Sequence, residues 1–331
     1  MKRRTLIQAA AGAATTLALP SLRAQTAPSL PALPSGPIRI IVGFPPGGGT
    51  DALARILAAK LTQLWGQQVI VETKAGVAGV LAAEYTATQP ADGTTLMMAH
   101  INSHALAPSL QPKLKYDPVA DFAPIALVGV TPNLLVCNTT QAARTVPDIV
   151  ALCKAKPGEI SFGSAGSGSA QHLALELFKQ RAGVNAIHVP YKGSAPVITD
   201  LIGGQIQYAF ETMTAATPHV KGGRLMAIAQ TRAKRAKSYP NVPTMVELGY
   251  PGFEATTWYG LVGPGKLPAV MAQRMNEDVN KVLAMPDVQA SLDNYGAEDG
   301  GGSRERFADF IKSEIAQWRK VVREGNVKAD T

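Results

Sequence analysis

Apolar positions along the chain alternate between two periods. At residues 38–42, Ile38, Ile40, Ile41 and Val42 surround a single Arg39, a short β-branched run that predicts a strand. Past a glycine-rich stretch, Leu53, Ile56, Leu57, Leu61 and Leu64 recur at helical spacing until Gly66 stops them, with Thr50 or Asp51 as the cap. Strands at 69–71 and 95–99, with a helix at 80–88 between them, complete a βαβαβ order. That order predicts an α/β fold with a parallel sheet and helices on its faces. After a proline-rich connection, residues 125–128 and 134–136 read as two further strands. A second alternation follows: helix 147–155, strand 160–162, helix 170–181, strand 186–189, helix 195–202, and strands 206–210, 225–230 and 258–262. The amphipathic helices beyond residue 268 have no strand between them, so they suit packing on an existing sheet.

The same device occurs twice in this pattern. A strand runs into a glycine-rich turn that opens a helix, first at Phe44-Pro45-Pro46-Gly47-Gly48-Gly49-Thr50-Asp51 and again at Phe162-Gly163-Ser164-Ala165-Gly166-Ser167-Gly168-Ser169. Glycine lets backbone N–H groups converge without a Cβ in the way. A helix N-terminus adds unpaired donors and the positive end of the dipole. Each turn is therefore a candidate anion cradle for a carboxylate or phosphate, at the carboxyl end of a strand where open α/β sheets bind ligands. A tight connection with no ligand is the alternative for either turn alone.

Composition narrows the chemistry. Of 331 residues, 46% are hydrophobic and 17% charged, which suits a large buried core. The net charge of +8 includes Lys2, Arg3, Arg4 and Arg23 in a segment without acids, so removal of that segment leaves +4. Residues 1–24 read as an export signal: a basic head, an uncharged Ala/Leu-rich run that stops at Pro20, and a small-residue end at Ala24. Arg3-Arg4-Thr5-Leu6-Ile7 resembles a twin-arginine signal, and the export route stays open. Prolines every third residue from Pro28 to Pro37 suit an extended, unpacked lead-in. A soluble extracytoplasmic product is expected. Cys137 and Cys153 are the only cysteines, and whether they pair is left open.

Several function classes fit poorly. Neither turn has a P-loop lysine or the dinucleotide G-x-G-x-x-G, and no G-x-S-x-G elbow occurs. His100 and His104 are four apart, but Ile101 stands where a zinc-protease motif needs Glu, so no metal and no cofactor are expected. The basic stretch 232–237 lacks interleaved aromatics and reads as a solvated helix face, not a nucleic-acid tract. His172 falls early in the helix after the second turn, where it can face a ligand or pack. Glu211, just past strand 206–210, can meet a cleft or form a surface ion pair.

The ordered motifs resemble one family. The stretch from Pro37 through Gly43-Phe44-Pro45-Pro46-Gly47-Gly48-Gly49-Thr50-Asp51, then Ala91-Asp92-Gly93-Thr94-Thr95-Leu96, Tyr116-Asp117-Pro118 and Asp121-Phe122-Ala123-Pro124-Ile125, is similar to the tripartite tricarboxylate transporter substrate-binding receptors, the Bordetella uptake gene (Bug) family. The second turn with His172-Leu173, Val189-Pro190-Tyr191-Lys192-Gly193 and Trp258-Tyr259-Gly260-Leu261 continue the likeness. The resemblance implies a two-lobed periplasmic-binding-protein-like clamshell, with lobe 1 from 38–133 and 258–331 and lobe 2 from 134–257. It implies a receptor, not an enzyme, that hands a small carboxylate to a membrane permease. Phe44 and Pro46 to Asp51 would hold the carboxylate, and Ser164 to Ser169 would close on it with His172 nearby. His104 and Glu211 are expected near the cleft, although relatives carry Asp-Asn close to Glu211. A monomer is expected. A sensor input protein on the same scaffold, or an enzyme acting on organic acids in the cleft, are the competing readings.

Overall fold

The computed structural model describes residues 32–111 and 113–324. The expected export signal and the lead-in up to Pro31 lie outside these residues. Within the described part of the lead-in, Leu33 packs on the core, so this end is not unpacked as expected.

Among the described residues, nine strands form one continuous sheet. Strands β1 (Ile38–Val42), β2 (Val69–Thr73) and β3 (Thr95–His100) are parallel, in the order β2-β1-β3. Helices α1 (Gly49–Trp65) and α2 (Val80–Ala87) make the crossovers. A short helix, α3 (Ala107–Leu110), precedes β4. The two strands expected at 125–128 and 134–136 are a single 17-residue strand, β4 (Phe122–Asn138). Residues 129–133, which read as a break in the sequence, are where the strand runs on in register to Pro132 and then changes partner at Asn133.

That long strand joins the two lobes. Up to Pro132 it pairs antiparallel with β9 (Thr256–Pro264), which in turn pairs with β3. From Asn133 onward it pairs with β7 (Tyr208–Thr212), and from Leu134 with β8 (Leu225–Gln230). The second lobe continues from β7 to β5 (Ser161–Ser164) and β6 (Ile187–Pro190), all parallel. Helices α4 (Val146–Ala155), α5 (Ala170–Ala182), α6 (Ser194–Ile202) and α7 (Met213–Lys221) cover it. Helix α7 escapes the apolar pattern, because its threonines and Pro218 mask a face that buries Met213, Ala215 and Ala216.

The terminal helices α8 (Ala269–Leu283), α9 (Pro286–Asn294) and α10 (Arg304–Glu324) return to the first lobe. Met275, Val279 and Val282 of α8 pack with Ile38, Ile40 and Leu57, while Phe307 and Ile311 of α10 pack with Trp258 and Val262 on the other face. Each buried side chain of this size contributes about 1.5–3 kcal/mol. Cys137 and Cys153 share a second-lobe core cluster as unpaired, buried thiols. Residues 232–237 are irregular and not a helix face; Arg232 pairs with Glu298 at 2.8 Å and Arg235 with Glu247 at 2.9 Å.

Candidate functional site

The first glycine-rich turn faces the second lobe directly. Gly48 is the N-cap of α1 in extended geometry, and no side chain caps the helix. The expected caps do other work: Thr50 lies inside the helix, and Asp51 reaches back to accept from the Gly47 N–H at 3.1 Å. Asp51 is also clamped by Arg55 at 2.9 Å, so its charge is spent locally. The amides at the start of α1 are therefore unfilled by any side-chain cap. Opposite them, α6 starts from N-cap Gly193, again without a side-chain cap.

Close approach explains the glycines here. A Cβ on Gly49 would lie 2.5 Å from the Tyr259 hydroxyl and 2.8 Å from Thr214 Cβ. One on Gly193 would lie 2.9 Å from Pro45 Cδ, and one on Gly48 would sit 3.8 Å from Ser194 Cβ. Pro45 and Gly48 follow β1, whereas Gly193 and Ser194 follow β6 and Thr214 follows β7 in the other half of the sheet. The lobes meet at this turn.

Between them lies a tight compartment lined by Phe44, Gly48, Gly49, Thr50, His100, Ala165, Gln171, Ser194, Thr212 and Tyr259. The room left for a water-sized sphere is about 10 Å³, enough for one water. Phe44 and Ala165 also border a larger open groove of about 830 Å³, lined by Val77, Leu110, Gly166, Ser167, Tyr191 and Lys192 among others. His100 is neutral: burial pulls its pKa down to about 3, and its Nδ1 accepts from the Asn102 N–H at 3.2 Å, leaving the proton on Nε2.

The second turn differs from the expected open cradle. Gly166 N–H donates to Ser164 Oγ, Gly168 N–H to His172 Nδ1 at 3.1 Å, and His172 N–H to the Ser169 cap. The first amide of α5, Ala170 N–H, donates across the lobes to Asn102 Oδ1 at 3.1 Å. These donors are filled by the chain itself. Ala165 reaches the tight compartment, and Gly166 and Ser167 reach the groove, whereas Ser164, Gly168, Ser169 and His172 border neither. Beneath the turn, His172 stacks on His188 with centroids 3.9 Å apart, and His188 Nε2 lies 2.6 Å from Ser164 Oγ. The turn is thus a braced wall.

His104 is likewise displaced from its expected role. It is fully buried, packed edge-on against Phe122 at 4.5 Å, with Nδ1 2.9 Å from Ser103 Oγ. It borders neither space.

Glu211 lies inside β7, paired with Leu134, and not beyond the strand as its pattern suggests. It is fully buried, so a surface ion pair is excluded. Its Oε1 accepts from Ser194 Oγ at 2.6 Å, Thr212 N–H at 2.7 Å and Gln171 Nε2 at 3.2 Å. All three donors line the compartment. Burial pushes the Glu211 carboxyl upward, and these donors pull against it. Sequence reasoning misses Gln171 and Ser194, which come from the other half of the sheet, and His100 and Tyr259, which β3 and β9 bring beside the first turn.

A two-lobed α/β molecule with a polar compartment at the lobe junction and amide donors on one wall is a solute-binding protein of the periplasmic type. The profile of the tripartite tricarboxylate transporter family receptor matches residues 53–327, and the chain belongs to that family. It is 38% identical over 296 residues to protein BugT of Bordetella pertussis, covering 89% of this chain and 91% of that one. Among solved structures it is similar to one described as a periplasmic transporter, with a TM-score of 0.87 and 35% identity over 90% of this chain and 99% of the other. It is also similar to Rpa4515 of R. palustris with adipate, at TM-score 0.86 and 34% identity, covering 89% and 99%. Among the described residues, no helix is long and apolar enough to cross a membrane.

Proposed function

We propose that this protein is an extracytoplasmic receptor that captures a small carboxylate between its lobes and delivers it to the membrane permease of a tripartite tricarboxylate transporter. The observation that carries this reading is the uncapped start of α1, Gly48 to Thr50, aimed at a small polar compartment across from Ser194 and Thr212 that adjoins the open groove at Phe44 and Ala165. A carboxylate there gains the helix dipole and charged hydrogen bonds of about 1.5–3 kcal/mol each. The family membership and the adipate bound to a similar structure support the ligand class.

Because both walls contribute, the ligand favours the closed arrangement by its differential affinity, and the permease reads that arrangement. The lobe boundaries proposed for this motion fall where β4 changes partner, at Pro132–Asn133, and at the start of β9. The solute would be handed on unchanged, as membership of a receptor family supports. Residues 1–24 would direct export to the periplasm and then be removed.

The test is a thermal-shift series with short organic acids on wild type and Gly48→Val. The branched side chain would fill the gap between Gly48 and Ser194. Wild type should gain several degrees with a cognate acid, and the variant should fold but gain nothing. An equal gain in both removes the α1 turn from the site.

A further inference from the structure

The two walls of the compartment have opposite hydrogen-bonding character. The α1 wall offers backbone donors, as described above. The facing side offers unmet acceptors: Gln171, which lines the compartment, has a buried Oε1 without a partner, and Glu211, bonded directly behind it, has a buried Oε2 without one. Gln171 is turned so that its Nε2 meets Glu211 Oε1, which leaves its carbonyl oxygen unpaired. Buried polar atoms without partners are rare and costly, and two on adjacent side chains at one wall mark a place built for a donor.

The N-termini of α5, α6 and α7 converge on the Glu211 carboxylate through Gln171, Ser194 and Thr212. An anion position on the second lobe is therefore already filled by this chain's own side chain. A second ligand carboxylate pointed there would bring its acceptor oxygens against the Gln171 carbonyl oxygen, which has no proton to give, in a place with little water.

We propose that the solute carries a hydrogen-bond donor, an ammonium or hydroxyl group, close to its carboxylate, and that Glu211 with Gln171 selects for that donor and against a second carboxylate. This rests on the receptor reading above and narrows its ligand class. The spacing argues for a short acid. Ser194 bridges the walls: its Oγ bonds Glu211 while its Cβ lies 3.8 Å from where a Cβ on Gly48 would sit. The donor thus belongs on the carbon beside the carboxylate or the next one. Sites built to hydrogen-bond a polar group reject analogues lacking it far more strongly than apolar pockets discriminate by size.

The test is titration calorimetry on the full mature chain with butyrate, 2-hydroxybutyrate, 2-aminobutyrate, 3-aminobutyrate and succinate. Wild type should bind at least one of the three donor-bearing acids tenfold or more tighter than butyrate, with succinate weakest. The hydroxy and amino arms identify which donor is used. Glu211→Gln should erase the amino-acid preference and improve succinate. Should that variant unfold, Gln171→Met, which removes the second acceptor alone, should lower the donor preference several-fold. Succinate binding as tightly as the donor-bearing acids overturns the donor selection and leaves the receptor reading standing. A Glu211→Gln variant with unchanged ranking does the same. Silence from every acid in the series overturns both.

Discussion

At the scale of single residues, the site depends on where a Cβ has room. Gly49 starts α1 against Tyr259 and Thr214, and a methyl group would overlap both. Gly49→Ala should therefore lower the stability of the closed packing by about 1–3 kcal/mol, the usual cost of overpacking. Gly48→Ala, with φ −86° and no neighbour nearer than 3.8 Å, should stay within about 0.5 kcal/mol of wild type. Thermal melts of the two variants check this, and similar melting would contradict the contact at Gly49. The glycine run as an anion-cradle candidate is legible from residues 44–51 alone. Which glycine is indispensable is not, because the groups that forbid its side chain come from α7 and β9, more than 160 positions away. The same limit hid the fate of the second turn: Ser164, Gly168 and His172 satisfy one another through a geometry that no linear spacing displays.

Elements were easier to read than their partners. The βαβαβ opening and the second alternation follow from periodicity, and their helices fall within a residue or two of the pattern. Two failures have physical causes. A strand long enough to serve both lobes looks like two strands because Gly129, Pro132 and Asn133, poor strand formers, lie where it passes from one partner to the next. A helix whose buried face is built from Met213, Ala215, Ala216 and threonines lacks a strong apolar stripe. The end of β3 and the turn after it carry a further consequence. Burial pulls both His100 and His104 down to about 3 from 6.5. Between those values the unfolded chain binds more protons than the folded one, so stability falls as pH drops through 6.5. Each imidazole costs about 1.4 kcal/mol per pH unit below that point. Glu176, held near 2 by His172, adds its own loss only below its ordinary value of 4.5. Melting should thus decline between pH 7 and 5, and His104→Gln should roughly halve the slope. An unchanged slope would show that His104 is not neutral and buried in the folded state.

At the largest scale, one sheet runs through both lobes by way of β4. Lobe 1 brings backbone amides to the junction, and lobe 2 brings a braced turn and a buried carboxylate. With the proposed export segment removed, the net charge of +4 would supply no strong field, which leaves recognition to these few groups. Backbone amide resonances offer the most direct check that a carboxylate sits on the α1 turn. In two-dimensional ¹H–¹⁵N spectra recorded while a binding acid is titrated in, the Gly48, Gly49 and Thr50 protons should move downfield as they gain a charged acceptor. Gly166 and Gly168, already bonded to Ser164 and His172, should move less. Amides at the start of α1 that stay put while the acid binds elsewhere would contradict the account.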